Sequence, residues 1–282
     1  MTDIERLLNR LDALIDRIEP LLPPARPQSD WDAIAFRWRR PGYLQAVKHP
    51  QLIESDALLG VERQKDLLAR NTEQFVRGLP ANNALLWGSR GTGKSSLIRA
   101  MLDQFADRGL RLIEVERRDL ADLPDIVEPL YAREERFIVF SDDLSFEADD
   151  PSYKALKATL DGSVAAAPDN VLIYATSNRR HLLPEYQRDN QDTRAVDGEI
   201  HHGEAVEEKI SLSERFGLWL AFHPFGQDDY LDIVFHTLER MGIAFDAETV
   251  RPDALRFALE RGSRSGRVAA QFARDWVGRN GL

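Results

Sequence analysis

Residues 84–105 read ALLWGSRGTGKSSLIRAMLDQF and contain the most specific structural signal in the sequence. Its middle, from Gly88 to Ser95, matches the pattern G-x-x-x-x-G-K-[ST]. The apolar run before the pattern predicts a buried strand, and the run after it predicts a helix. Glycines let the loop turn its backbone N–H groups around phosphate oxygens, and the helix N-terminus adds positive potential. The stretch therefore predicts a strand, a phosphate-binding loop and a helix of an α/β domain.

The side chains of this loop suit a nucleotide with a divalent cation. We expect Lys94 to reach the β- and γ-phosphate oxygens and the Ser95 hydroxyl to ligate Mg²⁺. ATP and Mg²⁺ are accordingly the predicted ligand and cofactor. The predicted binding loop comprises Gly88, Ser89, Arg90, Gly91, Thr92, Gly93, Lys94, Ser95 and Ser96.

Strand-like and helical stretches alternate on both sides of the loop. Short apolar runs predict strands at 84–87, 112–115, 137–140, 171–176 and 218–222. Helical stretches are predicted at 59–78, 94–107, about 120–132, about 153–166, 227–241, 251–260 and 265–279. Strand and helix in alternation predict right-handed crossovers and a parallel sheet covered by helices on both faces. The helices after Gly226 predict a separate C-terminal helical segment.

Two aspartates follow the apolar run at 137–140. A nucleotide hydrolase needs a carboxylate at the end of a buried strand to hold Mg²⁺ through water, and a second group to orient the attacking water. We predict that Asp142 is the acid on the metal side and that Asp143 orients the water. Asp143 stands where such sites often carry Glu, so Glu147 is the alternative.

A polar run also ends the later strand, which reads VLIYATSN. The Asn178 amide there can contact the γ-phosphate or the attacking water. Thr176 and Ser177 are the alternatives for this contact.

Composition limits the class of protein. The 282 residues are 43% hydrophobic and 30% charged, which is typical of a folded globular chain with one large domain or two unequal ones. The absence of cysteine excludes a disulfide framework, a thiolate metal site and a catalytic thiol. Since no apolar stretch approaches 18 residues and the N-terminus is charged throughout, we expect a soluble, cytoplasmic protein with no membrane partner.

The charge balance bears on nucleic acid as a partner. Lys and Arg number 37 against 47 Asp and Glu, which gives a net charge of −10. This balance argues against non-specific wrapping of nucleic acid, although a local basic patch stays possible.

The first 50 residues are predicted to lie outside the main domain. Apolar residues from Ile4 to Leu21 recur at intervals of three and four, which predicts a helix that packs on its own domain or forms a short coiled coil. Residues 23–31 are proline-rich and predict a linker, while the acidic stretch 187–209 predicts a solvated loop or a partly disordered insertion. The predicted divisions are a helical segment and linker at 1–50, a nucleotide-binding domain at 51–225 and a helical lid at 226–282.

The order and spacing of these motifs resemble those of AAA+ ATPases over residues 55–282. The resemblance rests on the loop at 88–95, FSDD at 140–143, ATSN at 175–178, SERFGL at 213–218 and SGR at 265–267. More narrowly, the stretches LPANNALLWGSRGTGKSS, FSDDLSFE and VLIYATSNRRHL resemble a bacterial family of predicted AAA+ proteins that carries a domain-of-unknown-function label.

The resemblance implies roles for several residues. Asn178 would be the first sensor, Arg215 an arginine finger that reaches the nucleotide of a neighbouring subunit, and Arg267 the second sensor on the lid. Arg264 competes with Arg267 for that last role. The resemblance further implies a homo-oligomer and places Gly60 and Val61 beside the adenine.

Three functions compete at this point. The first is ATP hydrolysis in a homo-oligomer that remodels or loads an unidentified macromolecular partner. The second is a nucleotide-dependent switch or scaffold with little turnover. The third is a DNA-associated loader, whose basic patch would consist of Arg99, Arg108, Arg111, Arg117 and Arg118.

Overall fold

The computed structural model describes residues 29–146, 150–161, 168–180, 182, 194–196, 199–201 and 214–281. The strands in this part of the chain are β1 (Ala35–Arg39), β2 (Tyr43–Ala46), β3 (Ala84–Gly88), β4 (Leu110–Glu114), β5 (Arg136–Ser141), β6 (Val171–Ser177), β7 (Arg194–Val196), β8 (Glu199–His201) and β9 (Leu218–Phe222). The α-helices are α1 (Glu62–Val76), α2 (Lys94–Phe105), α3 (Leu123–Val127), α4 (Pro151–Asp161), α5 (Gln227–Arg240), α6 (Ala247–Glu260) and α7 (Gly266–Asn280).

Seven strands form one sheet in the order β2-β1-β4-β5-β6-β3-β9. All neighbouring pairs are parallel except β1 and β2, which are antiparallel. The carboxyl ends of β3, β5 and β6 therefore meet at one edge of the sheet, with β6 between the other two. This topology brings the phosphate-binding loop, the two aspartates and Asn178 to the same edge, and it confirms the predicted α/β fold with a parallel sheet.

Buried side chains lie on both faces of the sheet. One cluster joins the sheet to α1, α2 and the C-terminal helices α5 to α7, while the other joins it to α3 and α4. In β5, Ile138 and Phe140 belong to the first cluster, whereas Phe137 and Val139 belong to the second. A strand that is buried on both faces has an almost continuous apolar sequence, which explains why these strands were predicted from short apolar runs.

Residues 35–46 contain two strands, whereas the sequence prediction assigned the first 50 residues to a helical segment and a linker. The prediction was wrong for these residues. Strand β1 pairs with β4, and β2 pairs with β1, so both belong to the main sheet. Phe36 and Trp38 are buried, and Trp38 Nε1 donates a hydrogen bond to Asp122 Oδ2 at 3.0 Å. The strand was missed because arginines alternate with these aromatics, so no apolar run marks it. The division between residues 225 and 226 stays a prediction.

A helix predicted at about 120–132 is also shorter in the structure. Only α3 is α-helical there, and 3₁₀ turns precede and follow it. Pro124 and Pro129 explain the difference, because proline lacks the N–H that a continuous helix would use.

Some predicted features fall wholly or partly outside the described residues. The N-terminal helix at 4–21 lies outside them. Within the acidic stretch 187–209, β7 and β8 pair as a short antiparallel ribbon, so these six residues are not a loop. None of the helices in the described part of the chain combines the length and the apolar character that a membrane span requires.

Candidate functional site

A cleft of about 1150 Å³ opens where the carboxyl ends of β3, β5 and β6 face the C-terminal helices. Ligands of open α/β sheets bind at this edge. Loop residues 90–96 line the cleft together with Asp142, Asp143, Thr176 and Asn178. Residues from the ends of β5 and β6 and from the glycine loop after β3 thus share one cavity.

The glycines of the loop have conformations that other residues rarely adopt. Gly88, Gly91 and Gly93 have φ values of 131°, 76° and 96°. A Cβ atom at Gly88 would lie 1.9 Å from the Phe222 carbonyl oxygen, and one at Gly91 would lie 2.8 Å from Ser265 Oγ. The loop therefore needs glycine for its backbone angles and for its close approach to β9 and to the start of α7.

Lys94 is held inside the loop. Its Nζ donates hydrogen bonds to the carbonyl oxygens of Gly88 at 2.8 Å and Ser89 at 2.7 Å, and to Asn178 Oδ1 at 3.3 Å. Burial lowers the pKa of Lys94, and the charges of Asp142 and Asp143 only partly offset that effect. Because these three acceptors are neutral oxygens, an anion beside Nζ would stabilise the buried charge.

Two oxygens in the cleft suit a hard divalent cation. Ser95 Oγ donates a hydrogen bond of 2.6 Å to Asp142 Oδ1, and Thr176 Oγ1 donates to the same carboxylate oxygen. No group of three or more histidine and acidic side chains is placed to hold a metal among the residues that the structure describes. Mg²⁺ commonly uses one or two protein oxygens and takes its other ligands from phosphates and water, so Ser95 and Asp142 fit it.

Asp143 has an unusual backbone and two side-chain partners. It is the one non-glycine residue with positive φ, 53°, in the described part of the chain. Its N–H donates to Thr176 Oγ1 at 2.9 Å, which fixes the backbone against β6. Asn178 Nδ2 donates to Asp143 Oδ1, and Arg90 Nη2 lies 3.5 Å from Asp143 Oδ2. An outlier of this kind at the mouth of a cleft points to a functional role for the residue.

An apolar wall, of which the sequence analysis predicted only Val61, lines another part of the cleft. It consists of Leu58, Val61, Phe225 and Ile233. Gly60 is not among the cleft-lining residues, but a Cβ there would lie 2.9 Å from the Phe225 ring. Gly60 thus allows the chain to pack on Phe225, and it is Val61 that faces the cavity. The signal in the sequence was the segment with Gly60 and Val61, which the resemblance placed beside the adenine.

The segment 51–61 that carries part of this wall is fastened to its neighbours. Lys65 Nζ donates to the carbonyl oxygens of Ser55 and Leu58 at 3.2 and 3.3 Å. Arg240 of α5 pairs with Glu54 at 2.7 Å. The wall is therefore positioned by both α1 and the C-terminal helices.

The C-terminal helices also bring arginines to the cleft. Arg267 and Arg274 of α7 line it, and Arg267 Cβ lies 3.4 Å from the place where a Cβ would stand at Gly91. Arg264 is exposed and is not among the lining residues. Of the two candidates for the lid sensor, the structure thus places Arg267 beside the loop.

A further predicted residue, Arg215, is not in this cavity. Arg215 is partly buried just before β9 and is not among the lining residues. Glu147, the alternative to Asp143, lies outside the described residues.

The arginines of the predicted DNA patch have partners within the chain. Arg99 donates to Gln51, and Arg108 and Arg118 pair with Glu73 and Glu116. Arg111 and Arg117 donate to backbone carbonyl oxygens. These contacts give no support to a free basic patch.

Comparison with known proteins places the chain in a family. The family model described as "Protein of unknown function (DUF815)" matches residues 31–280. No curated protein matches the sequence.

Several solved structures share the fold at low identity. Thermotoga maritima RuvB, a Holliday junction branch migration motor, is 18% identical with a TM-score of 0.52, and the match covers 83% of this chain and 67% of that chain. The FIGL-1 AAA domain in complex with ADP is 20% identical with a TM-score of 0.50, and the match covers 80% and 73%. Aeropyrum pernix ORC1 in complex with DNA is 17% identical with a TM-score of 0.52, and the match covers 80% and 65%.

The chain spans only about two thirds of the length of the RuvB and ORC1 chains. At these identities, the likeness shows a common fold.

Proposed function

We propose that this chain, which belongs to the DUF815 family and has the AAA+ fold that its motifs predicted, binds ATP with Mg²⁺ and hydrolyses it. The observation that carries the proposal is the convergence of Lys94, Ser95, Asp142, Asp143 and Asn178 on one cleft. These residue types are the ones that phosphoryl transfer to water requires, and they come from the ends of β5 and β6 and from the glycine loop after β3.

The phosphate end of the nucleotide would lie on the glycine loop. Lys94 exchanges its carbonyl acceptors for β- and γ-phosphate oxygens, which stabilises its buried charge. Ser95 and Asp142 would hold Mg²⁺, which would neutralise negative charge on the phosphates. The apolar wall with Val61 contacts the adenine, and Arg267 contributes positive charge from the lid.

Hydrolysis would use Asp143 and Asn178. The oxygen of a water attacks the γ-phosphorus, and the bond from that phosphorus to the bridging oxygen breaks, so ADP leaves with the electron pair. Asp143 orients this water and accepts its proton. Asn178 Nδ2 holds the Asp143 carboxylate in place, as the hydrogen bond between them supports.

A second subunit completes the proposed site. Arg215 is not among the residues that line its own cleft, which is consistent with a role at the nucleotide of a neighbouring copy. We therefore propose a cytoplasmic homo-oligomer whose hydrolysis remodels or loads a macromolecular partner. DNA is one partner to test, because the similar RuvB is a branch migration motor and the similar ORC1 structure contains DNA.

The test compares wild type with Lys94→Ala and with Lys154→Ala, a control at an exposed lysine on α4. With Mg²⁺ and ATP at 100 times its Kd, binding should stabilise wild type and the control by about 2.7 kcal/mol. Lys94→Ala should lose most of this stabilisation and most phosphate release, while its unliganded fold persists.

Three outcomes would change the proposal. Normal phosphate release by Lys94→Ala would contradict the assigned site. Absence of nucleotide binding by wild type would contradict the function. ATP binding without turnover, with or without candidate activators, would favour the switch or scaffold.

A further inference from the structure

Arg90 occupies a variable position of the glycine loop, and the loop pattern assigns it no role. Its side chain is 75% exposed, lines the cleft and lies with Nη2 3.5 Å from Asp143 Oδ2. The loop pattern fixes glycines, lysine and serine, yet it leaves this position open to any residue. The contact therefore links Arg90 to Asp143, the residue that we assign to water activation.

The contact matters because both oxygens of Asp143 have partners. Asn178 Nδ2 donates to Oδ1, and the Arg90 guanidinium lies beside Oδ2. A general base must accept a hydrogen bond from the water that it activates. Each carboxylate oxygen can accept two hydrogen bonds, so the Arg90 guanidinium does not exclude the water but competes with it for Oδ2.

Arg90 is the partner that can move. An ion pair between exposed side chains is weak, because water competes for both groups. Asn178, in contrast, also accepts a hydrogen bond from the buried Lys94, and the Asp143 backbone is fixed by the bond from its N–H to Thr176. Displacing Asn178 or Asp143 would disturb several contacts, whereas displacing Arg90 disturbs one exposed ion pair.

We propose that Arg90 is a positioning residue that leaves Asp143 for the γ-phosphoryl oxygens of bound ATP. The γ-phosphoryl group carries more negative charge than one carboxylate, and guanidinium pairs with phosphate through two parallel hydrogen bonds. The exchange frees Asp143 Oδ2 for the attacking water. ADP has no γ-phosphoryl group, so it leaves Arg90 on Asp143. This inference rests on the proposed ATP hydrolysis and adds a means to distinguish ATP from ADP.

The test measures affinity for ADP and for a non-hydrolysable ATP analogue, each with Mg²⁺, by calorimetry. The variants are Arg90→Gln, Arg90→Lys and the control Arg256→Gln, whose arginine is 70% exposed and lies 4.0 Å from Asp253. Arg90→Gln should weaken binding of the analogue by about tenfold or more, and should change binding of ADP by less than about twofold. Arg90→Lys should restore part of the lost affinity because it keeps the charge.

A double-mutant cycle with Asp143→Asn tests whether Arg90 exchanges between Asp143 and the nucleotide or only supports the fold of the loop. Asp143→Asn removes the carboxylate that competes for Arg90, so it should tighten binding of the analogue. Arg90→Gln should abolish this gain in the double variant, which measures the coupling directly.

The outcomes separate this inference from the proposed function. If wild type binds the analogue more tightly than ADP and Arg90→Gln leaves that preference unchanged, this inference is wrong while ATP binding stands. Equal weakening of ADP and of the analogue would also overturn it. If wild type binds neither nucleotide, both proposals fail.

Discussion

At the residue scale, Asp143 shows how a short side chain can stand where such sites often carry glutamate. Asp and Asn enter the left-handed region more readily than other non-glycine residues, because their short polar side chains bond locally. Here the Thr176 hydroxyl accepts from the Asp143 N–H and donates to the Asp142 carboxylate, so one side chain on β6 braces both acids. The backbone conformation thus directs the shorter carboxylate into the cleft.

The first prediction concerns the chemical role of Asp143. Asp143→Asn should bind ATP and hydrolyse it about 10² to 10⁴ times more slowly, because an amide cannot accept the proton of the water. Asn tolerates the same backbone conformation, so the fold should not change. Nucleotide affinity by calorimetry and single-turnover phosphate release measure the two effects separately. Should Glu147→Gln be slow while Asp143→Asn keeps the wild-type rate, the base is assigned to the wrong residue.

The sequence predicted the polar residues of the cleft because their spacing is local. The loop, the aspartate pair and Asn178 each follow an apolar run directly, so strand ends could be assigned without knowing the packing. Contacts between distant side chains have no such signal, which is why the pair of Arg90 with Asp143 was not foreseen. Leu58, Phe225 and Ile233 of the apolar wall were missed for a similar reason, since these residues come to the same cleft only through the tertiary fold.

At the element scale, the start of α7 is built against the glycine loop. Ser265 is buried, and its Oγ accepts a hydrogen bond from the Val268 N–H at 3.3 Å, which caps the helix. The same Oγ lies 2.8 Å from the place where a Cβ would stand at Gly91. The cap therefore positions Arg267, two residues later, with respect to the phosphate-binding loop.

The second prediction separates helix stability from site geometry. Ser265→Ala should lower the free energy of unfolding by about 1 kcal/mol through the lost cap. It should also weaken ATP binding by about threefold or more, the equivalent of 0.7 kcal/mol. Asp246→Ala is the matched control, because Asp246 caps α6 and is not a cleft-lining residue. The control should lose similar stability and keep its ATP affinity; equal losses of affinity would show that α7 does not position the site.

A polar cluster fastens α1 to β6 within the core. Asn71 Nδ2 donates to the Tyr174 hydroxyl at 3.0 Å, and the Thr72 hydroxyl lies 2.9 Å from it. Burial raises the pKa of Tyr174 to about 12, and these hydrogen bonds offset part of the rise. Above about pH 10 the unfolded chain loses the tyrosine proton while the folded chain keeps it, so stability falls between about pH 10 and 12.

The third prediction tests this fall in stability at high pH. Tyr174→Phe should lower the free energy of unfolding by about 1 kcal/mol at neutral pH, because the cluster loses a hydrogen bond. Between about pH 10 and 12 its free energy of unfolding should fall less than that of wild type, and the difference between the two should reach about 2–3 kcal/mol. Tyr131→Phe, at a tyrosine that is 52% exposed, is the control and should keep the wild-type slope. Denaturant titrations across this range measure the difference, and parallel curves for Tyr174→Phe and wild type would contradict the assignment.

Burial also decides which elements the sequence could predict. The strand predicted at 218–222 coincides with β9, and those at 84–87, 112–115, 137–140 and 171–176 match β3 to β6 closely, because apolar runs mark them. Strand β1 lies towards the edge of the sheet and alternates arginine with aromatic residues, so its pattern is weaker. Its Arg37 pairs with Glu114 on β4 at 2.6 Å, a contact between residues 77 positions apart that no local pattern indicates.

At the scale of the whole molecule, the position of Arg215 bears on how hydrolysis is controlled. The residue stands between the acidic stretch and β9, outside the lining of the cleft that holds Lys94 and Asp143. If its guanidinium serves the nucleotide of a neighbouring copy, activity depends on assembly, because each site then needs a residue from outside its own chain. Such an arginine stabilises charge on the γ-phosphoryl group only once the neighbour has docked.

The last prediction tests this dependence on assembly. Arg215→Ala should bind ATP nearly as well as wild type and should hydrolyse it about 10³ times more slowly or worse. Added to wild type, it should lower the activity of the mixture more than dilution alone, because it leaves the neighbouring site without its arginine. Wild-type activity per protomer should rise with protein concentration in the range where sizing with ATP shows assembly. The measurement is phosphate release against concentration and mixing ratio. Constant activity per protomer from a monomer, together with an Arg215→Ala variant at full rate, would refute an arginine supplied by a neighbour.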